Sequence, residues 1–273
     1  MFARSSLLPR RTLAAGAAAL MAISLGSLTA DSASAVPARQ APGPIHAGNT
    51  FGWYGHGGLV YDETFVGPLN HRRWHVEGPG AVRTQHGMLT LNTAKAGSVS
   101  ATLRGTGHRT GRWEIRLRSR QYSRSHAAYE VRTELVPAAA RPQNCGARNI
   151  ALNSYKLGGN RAHHYIRSLP NRQYSTHTGV NLGTDRWHTF AVELTGRRIS
   201  WFVDAHVVST ERRPEAMSRL PYTVQFTMVA EPGKRMNRSR MQMDWLRYFT
   251  LRKPNSRSVE APLPSTATYA EAC

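Results

Sequence analysis

The chain has 273 residues, with 36 Lys and Arg against 16 Asp and Glu and a formal net charge of +20. That length suits one large β-sandwich; the charge fits either a solvated, Arg-rich surface or a polyanionic partner, namely an acidic polysaccharide, a teichoic-acid-like wall polymer or nucleic acid. The sequence holds no nucleic-acid-binding motif and no His, Cys and Asp spacing of a zinc site, so both of those classes are set aside.

The N-terminus carries Arg4, Arg10 and Arg11, an apolar run from Leu13 to Leu28, and then the small-x-small triplet Ala33-Ser34-Ala35. This is the pattern of an export signal, with cleavage expected after Ala35 and a destination outside the cell or in its wall. The run is too short and too Ala-rich for a membrane span, and no other stretch is apolar enough for one. Residues 36–50 read as a flexible linker, 51–252 as the folded domain and 253–273 as a Pro-, Ser-, Thr- and Ala-rich tail. An exported chain can form disulfides, and Cys145 and Cys273 are expected to pair and pin the tail. Two free thiols are the alternative, and spacing does not decide between them.

Between linker and tail the sequence alternates with period two. Leu89 and Leu91 alternate with Met88, Thr90 and Asn92, and Trp113, Ile115 and Leu117 with Arg112, Glu114, Arg116 and Arg118. The same holds over Trp187–Leu194 and Ile199–Asp204, and a last strand ends at Phe249. No convincing helix is visible. Many short alternating strands separated by polar turns predict an all-β antiparallel sandwich or barrel.

Four stretches carry a family resemblance. Tyr61-Asp62-Glu63-Thr64-Phe65, with Gly67-Pro68-Leu69 and Trp74, is the first; Gly111 to Leu117 is the second. Trp187-His188-Thr189-Phe190-Ala191-Val192-Glu193-Leu194, running on to Ile199–Asp204, is the third, and Met243-Asp244-Trp245-Leu246-Arg247-Tyr248 the last. In that order they resemble glycoside hydrolase family 16. The resemblance implies a concanavalin-A-like jelly-roll β-sandwich of two antiparallel sheets, with a sugar-binding cleft across one of them. It also implies a structural calcium position at Asp244, against the alternative of an ordinary surface carboxylate; no other cofactor is expected.

The catalytic strand of that family reads E-I-D-I-E, sometimes with one extra bulge residue. Residues two apart on a strand share a face, so both Glu enter the cleft, one as nucleophile and one as acid. Here the matching stretch is Asn149-Ile150-Ala151-Leu152-Asn153. Asn149, Ala151 and Asn153 occupy the carboxylate positions; a one-residue shift would present Arg148, Ile150 and Leu152 and restore no carboxylate. An amide is neither acid nor nucleophile, but it bonds sugar hydroxyls through both oxygen and nitrogen. The family's aromatic stretch before this strand is replaced by Tyr129 to Pro137, placing Glu130, Arg132 and Glu134 in the cleft.

Glu130-x-Arg132-x-Glu134 repeats the lost spacing one strand earlier. It reads as a transposed catalytic pair or as a Glu–Arg–Glu ion-pair ladder, and an Arg between two Glu holds both as carboxylates. Arg132-Thr133-Glu134-Leu135 is also similar to part of the alginate-lyase motif of polysaccharide lyase family 7, which Val136 then breaks. His163, Tyr165 and Arg167 share one strand face, as sugar contacts or as a solvated strand with His164 and Ile166 inside. Trp53-Tyr54 is either a stacking platform or rim packing. Together these readings lead to an expectation: a protein that binds a polysaccharide, anionic or from the wall, without the family's retaining hydrolysis. Relocated hydrolase or lyase chemistry on an acidic polysaccharide is the alternative.

Overall fold

The computed structural model describes residues 45–55, 58–139, 146–251 and 260–269. Among them sixteen strands, numbered along the chain, form two eight-stranded sheets with antiparallel pairings. The back sheet runs β13 (His206–Glu211), β12 (Ile199–Val203), β11 (His188–Leu194), β6 (Gly111–Gln121), β15 (Ser239–Phe249), β4 (Met88–Asn92) and β3 (Ala81–Gln85), with β1 (Leu59–Glu63) also on β15. The site sheet runs β16 (Ser265–Thr268), β10 (Arg172–Gly179), β9 (Arg161–Ser168), β8 (Ile150–Lys156), β7 (Glu130–Pro137), β14 (Tyr222–Val229), β5 (Val99–Leu103) and β2 (Trp74–Glu77). This is the two-layer jelly-roll sandwich that the alternation and the resemblance predict.

The period-two pattern decides what lies between the layers. Leu89, Leu91, Trp113, Ile115, Leu117, Phe190, Val192 and Trp201 face inward from the back sheet. They meet Tyr129, Val131, Leu135, Ile150, Leu152, Ile166, Phe226 and Met228 from the site sheet. Two polar links cross this core. The Trp201 indole donates to the Ala151 carbonyl at 2.9 Å, and the Tyr155 hydroxyl lies 2.7 Å from Ser119 Oγ. A buried polar group needs such a partner, since an orphaned one costs about 1–3 kcal/mol.

Two segments differ from the sequence reading. The described part of the expected linker carries a one-turn helix, α1 (Ala47–Thr50), with Ala47 buried. Its opening amides at Ala47 and Gly48 donate to the buried Glu114 carboxylate on β6, at 2.5 and 3.3 Å. Trp53, Ala191, Phe202 and Phe249 complete a second apolar cluster there, so Trp53 packs rather than offering a platform. In the expected tail, Ser265–Thr268 pairs with β10 and forms an edge of the site sheet. The expected export signal, Cys145 and Cys273 lie outside the described residues, so the cysteine pairing has no structural account here.

Candidate functional site

The outer face of the site sheet is polar from edge to edge, because the inward positions consume the apolar residues. Register fixes its rows, since directly paired residues share a face. Arg132 lies between Ser154 and Thr227, Glu134 between Ala151 and Gln225, and Glu130 between Lys156 and Val229. Beyond β8, Tyr165 lies opposite Ala151 and Ser175, and His163 opposite Ser154 and His177. On the far side Gln225 pairs Thr102 and Thr227 pairs Ser100. The predicted residues Glu130, Arg132, Glu134, Asn149, Ala151, His163 and Tyr165 therefore come together on one surface.

Asn153 does not join them. A β-bulge shifts the register between Thr133 and Glu134 on the β7 side and between Ala151 and Ser154 on the β9 side. One extra residue in a strand reverses the facing of the residues beyond it. Asn153 consequently pairs with the inward Thr133 and is fully buried, and Ser154 takes the cleft position. The bulge is locked from below. Its Ala151 carbonyl accepts from Trp201, and its Leu152 carbonyl from His164 Nδ1 at 2.6 Å, with His164 Nε2 3.2 Å from Thr178 Oγ1. Burial lowers the His164 pKa to about 4, so the ring is neutral and its Nδ1 carries the donated proton. Ile150 and Leu152 are core residues, which removes the one-residue-shifted alignment. The bulged spacing of the resembled motif was the signal that would have found Ser154.

No carboxylate therefore stands on the β8 face at 149, 151 or 154. The carboxylates of this surface sit one strand over, on β7, and both are engaged. Arg132 grips Glu130 bidentately, Nε to Oε1 and Nη2 to Oε2, each 2.8 Å, and the Ser154 hydroxyl donates to the same Oε1. Burial alone would raise the Glu130 carboxyl, but the Arg132 hydrogen bonds and charge, with Ser154, outweigh it and leave it below its ordinary value. Glu134 Oε1 accepts from the Tyr165 hydroxyl at 2.7 Å and from Asn149 Nδ2 at 3.3 Å. Burial, then the neighbouring Glu134 charge, push the Tyr165 hydroxyl well above its usual range, so it serves as a donor and not as a base. At His163 the desolvation of one side of the ring, then His177 and Arg161 nearby, lower the pKa.

Past Tyr165, Arg167 is clamped between two rings. Its guanidinium lies 4.6 Å from the Tyr165 centroid and 4.0 Å from that of Tyr269, and it donates to Tyr269 Oη at 3.2 Å and Gln173 Oε1 at 3.1 Å. Gly146 closes over this group with φ +69°, and a Cβ there would come within 3.0 Å of Arg167 Nη1. Both the left-handed backbone and the close approach call for glycine. Two hollows flank the central residues toward opposite ends of β7 and β8. One of about 660 Å³ is lined by His75, Glu77, Thr102, Arg104, Asn149, Thr223 and Gln225 among others. The other, of about 520 Å³, is lined by Glu130, Arg132, Ser154, Lys156 and His163 among others. None of the six tryptophans faces this surface: Trp74, Trp113 and Trp201 are in the core, Trp53 packs under α1, and Trp187 and Trp245 stack with arginines of the back sheet. The surface can hydrogen-bond a sugar chain through hydroxyls, amides and held charges.

Asp244, where the resemblance implies a structural calcium position, is in an ion pair. Its Oδ2 is 2.6 Å from Arg116 Nη1, so a guanidinium already neutralises the carboxylate. Among the described residues no three His, Cys, Asp or Glu side chains gather as a metal-holding group, and no helix is long and apolar enough to cross a membrane.

Two polar-faced antiparallel sheets packed over one core define a concanavalin-A-like sandwich with an open site sheet. Comparison with solved structures narrows this to the fold of glycoside hydrolase family 16. A non-specific endo-β-1,3(4)-glucanase of that family is 14% identical over 71% of this chain and 91% of its own, with a TM-score of 0.58. An endo-β-1,3-glucanase from Pyrococcus furiosus is 11% identical over 70% and 94%, with a TM-score of 0.59. A laminarinase from Flavobacterium sp. UMI-01 is 16% identical over 70% and 100%, with a TM-score of 0.55. No protein-family model and no curated protein sequence matches the chain.

Proposed function

We propose that this chain is an exported polysaccharide-binding protein whose site sheet holds a sugar chain without cleaving it by the paired-carboxylate retaining route. One observation carries the reading: Asn149, Ala151 and Ser154 stand where that route needs carboxylates, on a strand whose register is fixed by the Trp201 and His164 bonds. The carboxylates one strand over do not replace them. Glu130 is bound by Arg132 and has its pKa lowered, and a general acid needs the reverse. A variant of the similar endo-β-1,3(4)-glucanase holds a 1,3-β-D-cellobiosyl-glucose at its active site, which supports a sugar-binding role for this fold. With no tryptophan platform and with arginine in the site, an acidic polymer fits better than a neutral glucan.

The test is affinity electrophoresis of the purified chain through gels carrying neutral or acidic polysaccharides. Retardation by an acidic polymer is expected. Asn149→Ala with Gln225→Ala, which removes two amides from the larger hollow, should weaken it about tenfold, as expected for two lost hydrogen bonds of about 0.5–1.5 kcal/mol each. Free migration in every gel, or retardation that this pair of changes leaves intact, would sink the binding role of the cleft.

A further inference from the structure

The outward side of β6 reads Arg112, Glu114, Arg116, Arg118, Arg120, because Trp113, Ile115, Leu117 and Ser119 take the inward positions. Its first half is roofed by residues 45–55, which bury Glu114 and Arg112. Over the second half Trp187 and Asp185 lie against Arg116, Arg118 and Arg240, while Arg83, Arg120 and Arg238 stay exposed, and there the back sheet collects arginines from three strands. Arg240 lies directly opposite Arg120 on β15, and Gln242 opposite Arg118. Gln242 then pairs Thr90 on β4, and Thr90 pairs Arg83 on β3. Just before β15, Arg238 sits over the Tyr122 ring at 5.7 Å.

The rings are part of the arrangement. Trp187 lies between Arg116 and Arg118, at 4.8 and 4.5 Å from the two guanidiniums. Tyr122, 46% exposed, is approached by Arg120 at 5.3 Å and Arg240 at 5.9 Å besides Arg238. Ring faces attract cations and hold guanidiniums at fixed orientations. Carboxylates do not balance the charge: Asp244 pairs Arg116, and Asp185 reaches Arg240 at 2.8 Å and Arg118 at 3.7 Å. Six arginines of this half-face (Arg83, Arg116, Arg118, Arg120, Arg238, Arg240) thus meet two carboxylates. Gathered like charges cost stability through mutual repulsion, and an anionic chain lying across them removes that cost.

We infer that this arginine-rich half of the back sheet is a second binding surface, opposite the cleft, and that its partner is an acidic polysaccharide. Planar guanidinium forks pair carboxylates bidentately, and Tyr122 offers a ring to a sugar face. The strands are about 4.8 Å apart, comparable with one pyranose unit, so a polymer crossing β3, β4, β15 and β6 meets Arg83 at one side and Arg118 or Arg120 at the other. The surface does not depend on the cleft reading, because it shares no residue with it.

The experiment is salt elution of the purified chain from immobilised polygalacturonate, with the dissociation constant measured at several salt concentrations. Replacing the exposed Arg83, Arg120 and Arg238 by Gln is expected to weaken binding about tenfold and to flatten its salt dependence, because fewer ion contacts are screened. A control replacing the exposed Arg72, Arg197 and Arg219 by Gln removes the same net charge elsewhere and should change it far less. Asn149→Ala with Gln225→Ala should leave the salt-sensitive part intact, which separates failure of this surface from failure of the cleft. Equal loss in both triple variants, or no loss in the first, would overturn the inference. So would a single-stranded oligonucleotide of equal charge displacing polygalacturonate at lower concentration through the same three arginines, since the partner would then be a phosphodiester polymer.

Discussion

Glu114→Gln is expected to leave the protein about as stable as the parent chain at pH 4 and to make it more stable than the parent above about pH 7, and His164→Asn to leave it about equal at pH 7.5 and more stable than the parent near pH 4. Burial pushes the Glu114 carboxyl up to about 7 from 4.5, against the opposing amides of Ala47 and Gly48. A carboxyl raised on folding gives stability that is fully present below its unfolded pKa and is lost as pH rises from about 4.5 to about 7. His164 behaves oppositely: burial lowers it to about 4 from 6.5, so its contribution is present above pH 6.5 and is lost as pH falls to about 4. Each of the two corresponds to about 3 kcal/mol. The two ramps oppose each other over nearly the same window, and in the parent chain they largely cancel. Gln at 114 keeps an oxygen for the α1 amides, and Asn at 164 keeps a donor for the Leu152 carbonyl, so each change removes the charge but keeps the bond. Urea unfolding from pH 4 to 7.5 checks this, read as variant minus parent so that other groups drop out. Difference curves sloping in opposite directions are predicted. Two flat curves would show that neither group is strained by its burial.

The strands that could be read from sequence were those with one wet face and one dry face. On β6, Trp113, Ile115 and Leu117 announced the core, and the charged residues between them the other face, of which residues 45–55 cover Arg112 and Glu114. α1 could not be read, because Ala-Gly-Asn-Thr has neither the length nor a capping side chain, and forms only because Glu114 waits for its amides. Nor could β16, whose Ser-Thr-Ala-Thr is exposed throughout and is held by backbone pairing with β10 and by hydrogen bonds from Ser265 Oγ to the Ser175 carbonyl and from Arg213 to Thr266 Oγ1. In the site, the strand was legible, but the bulge was not. Leu152 and Asn153 look like ordinary alternation, and what turns Asn153 inward is a bond from Trp201, fifty residues away in sequence. Long-range anchors of this kind leave no mark in a local pattern.

Asn149→Glu is expected to cost about 3 kcal/mol at pH 7 and to be rescued by Glu134→Gln in the same chain. Asn149 Nδ2 now donates to Glu134 Oε1 at 3.3 Å in a place where both residues are buried. A carboxylate there would set two like charges side by side, and one must either take up a proton or remain desolvated and repelled. The Tyr165 hydroxyl can satisfy only one of them. The acids of this surface sit on β7, and an acid placed on β8 at 149 meets Glu134. A double-mutant cycle by thermal unfolding should give a coupling of 2 kcal/mol or more between the two changes, within the about 0.5–3 kcal/mol range of contacting residues. Additive effects would mean that the two side chains do not share the site.

The most direct test of the central claim is product release from a panel of neutral and acidic polysaccharides, reading reducing ends together with the absorbance of unsaturated uronates. With no carboxylate pair on the bulged strand, and with the loss of a nucleophile costing several orders of magnitude in rate, neither signal should rise above buffer. Reducing ends that disappear in Glu134→Gln would contradict this and establish a hydrolase working from β7; unsaturated ends would establish a lyase in the same cleft.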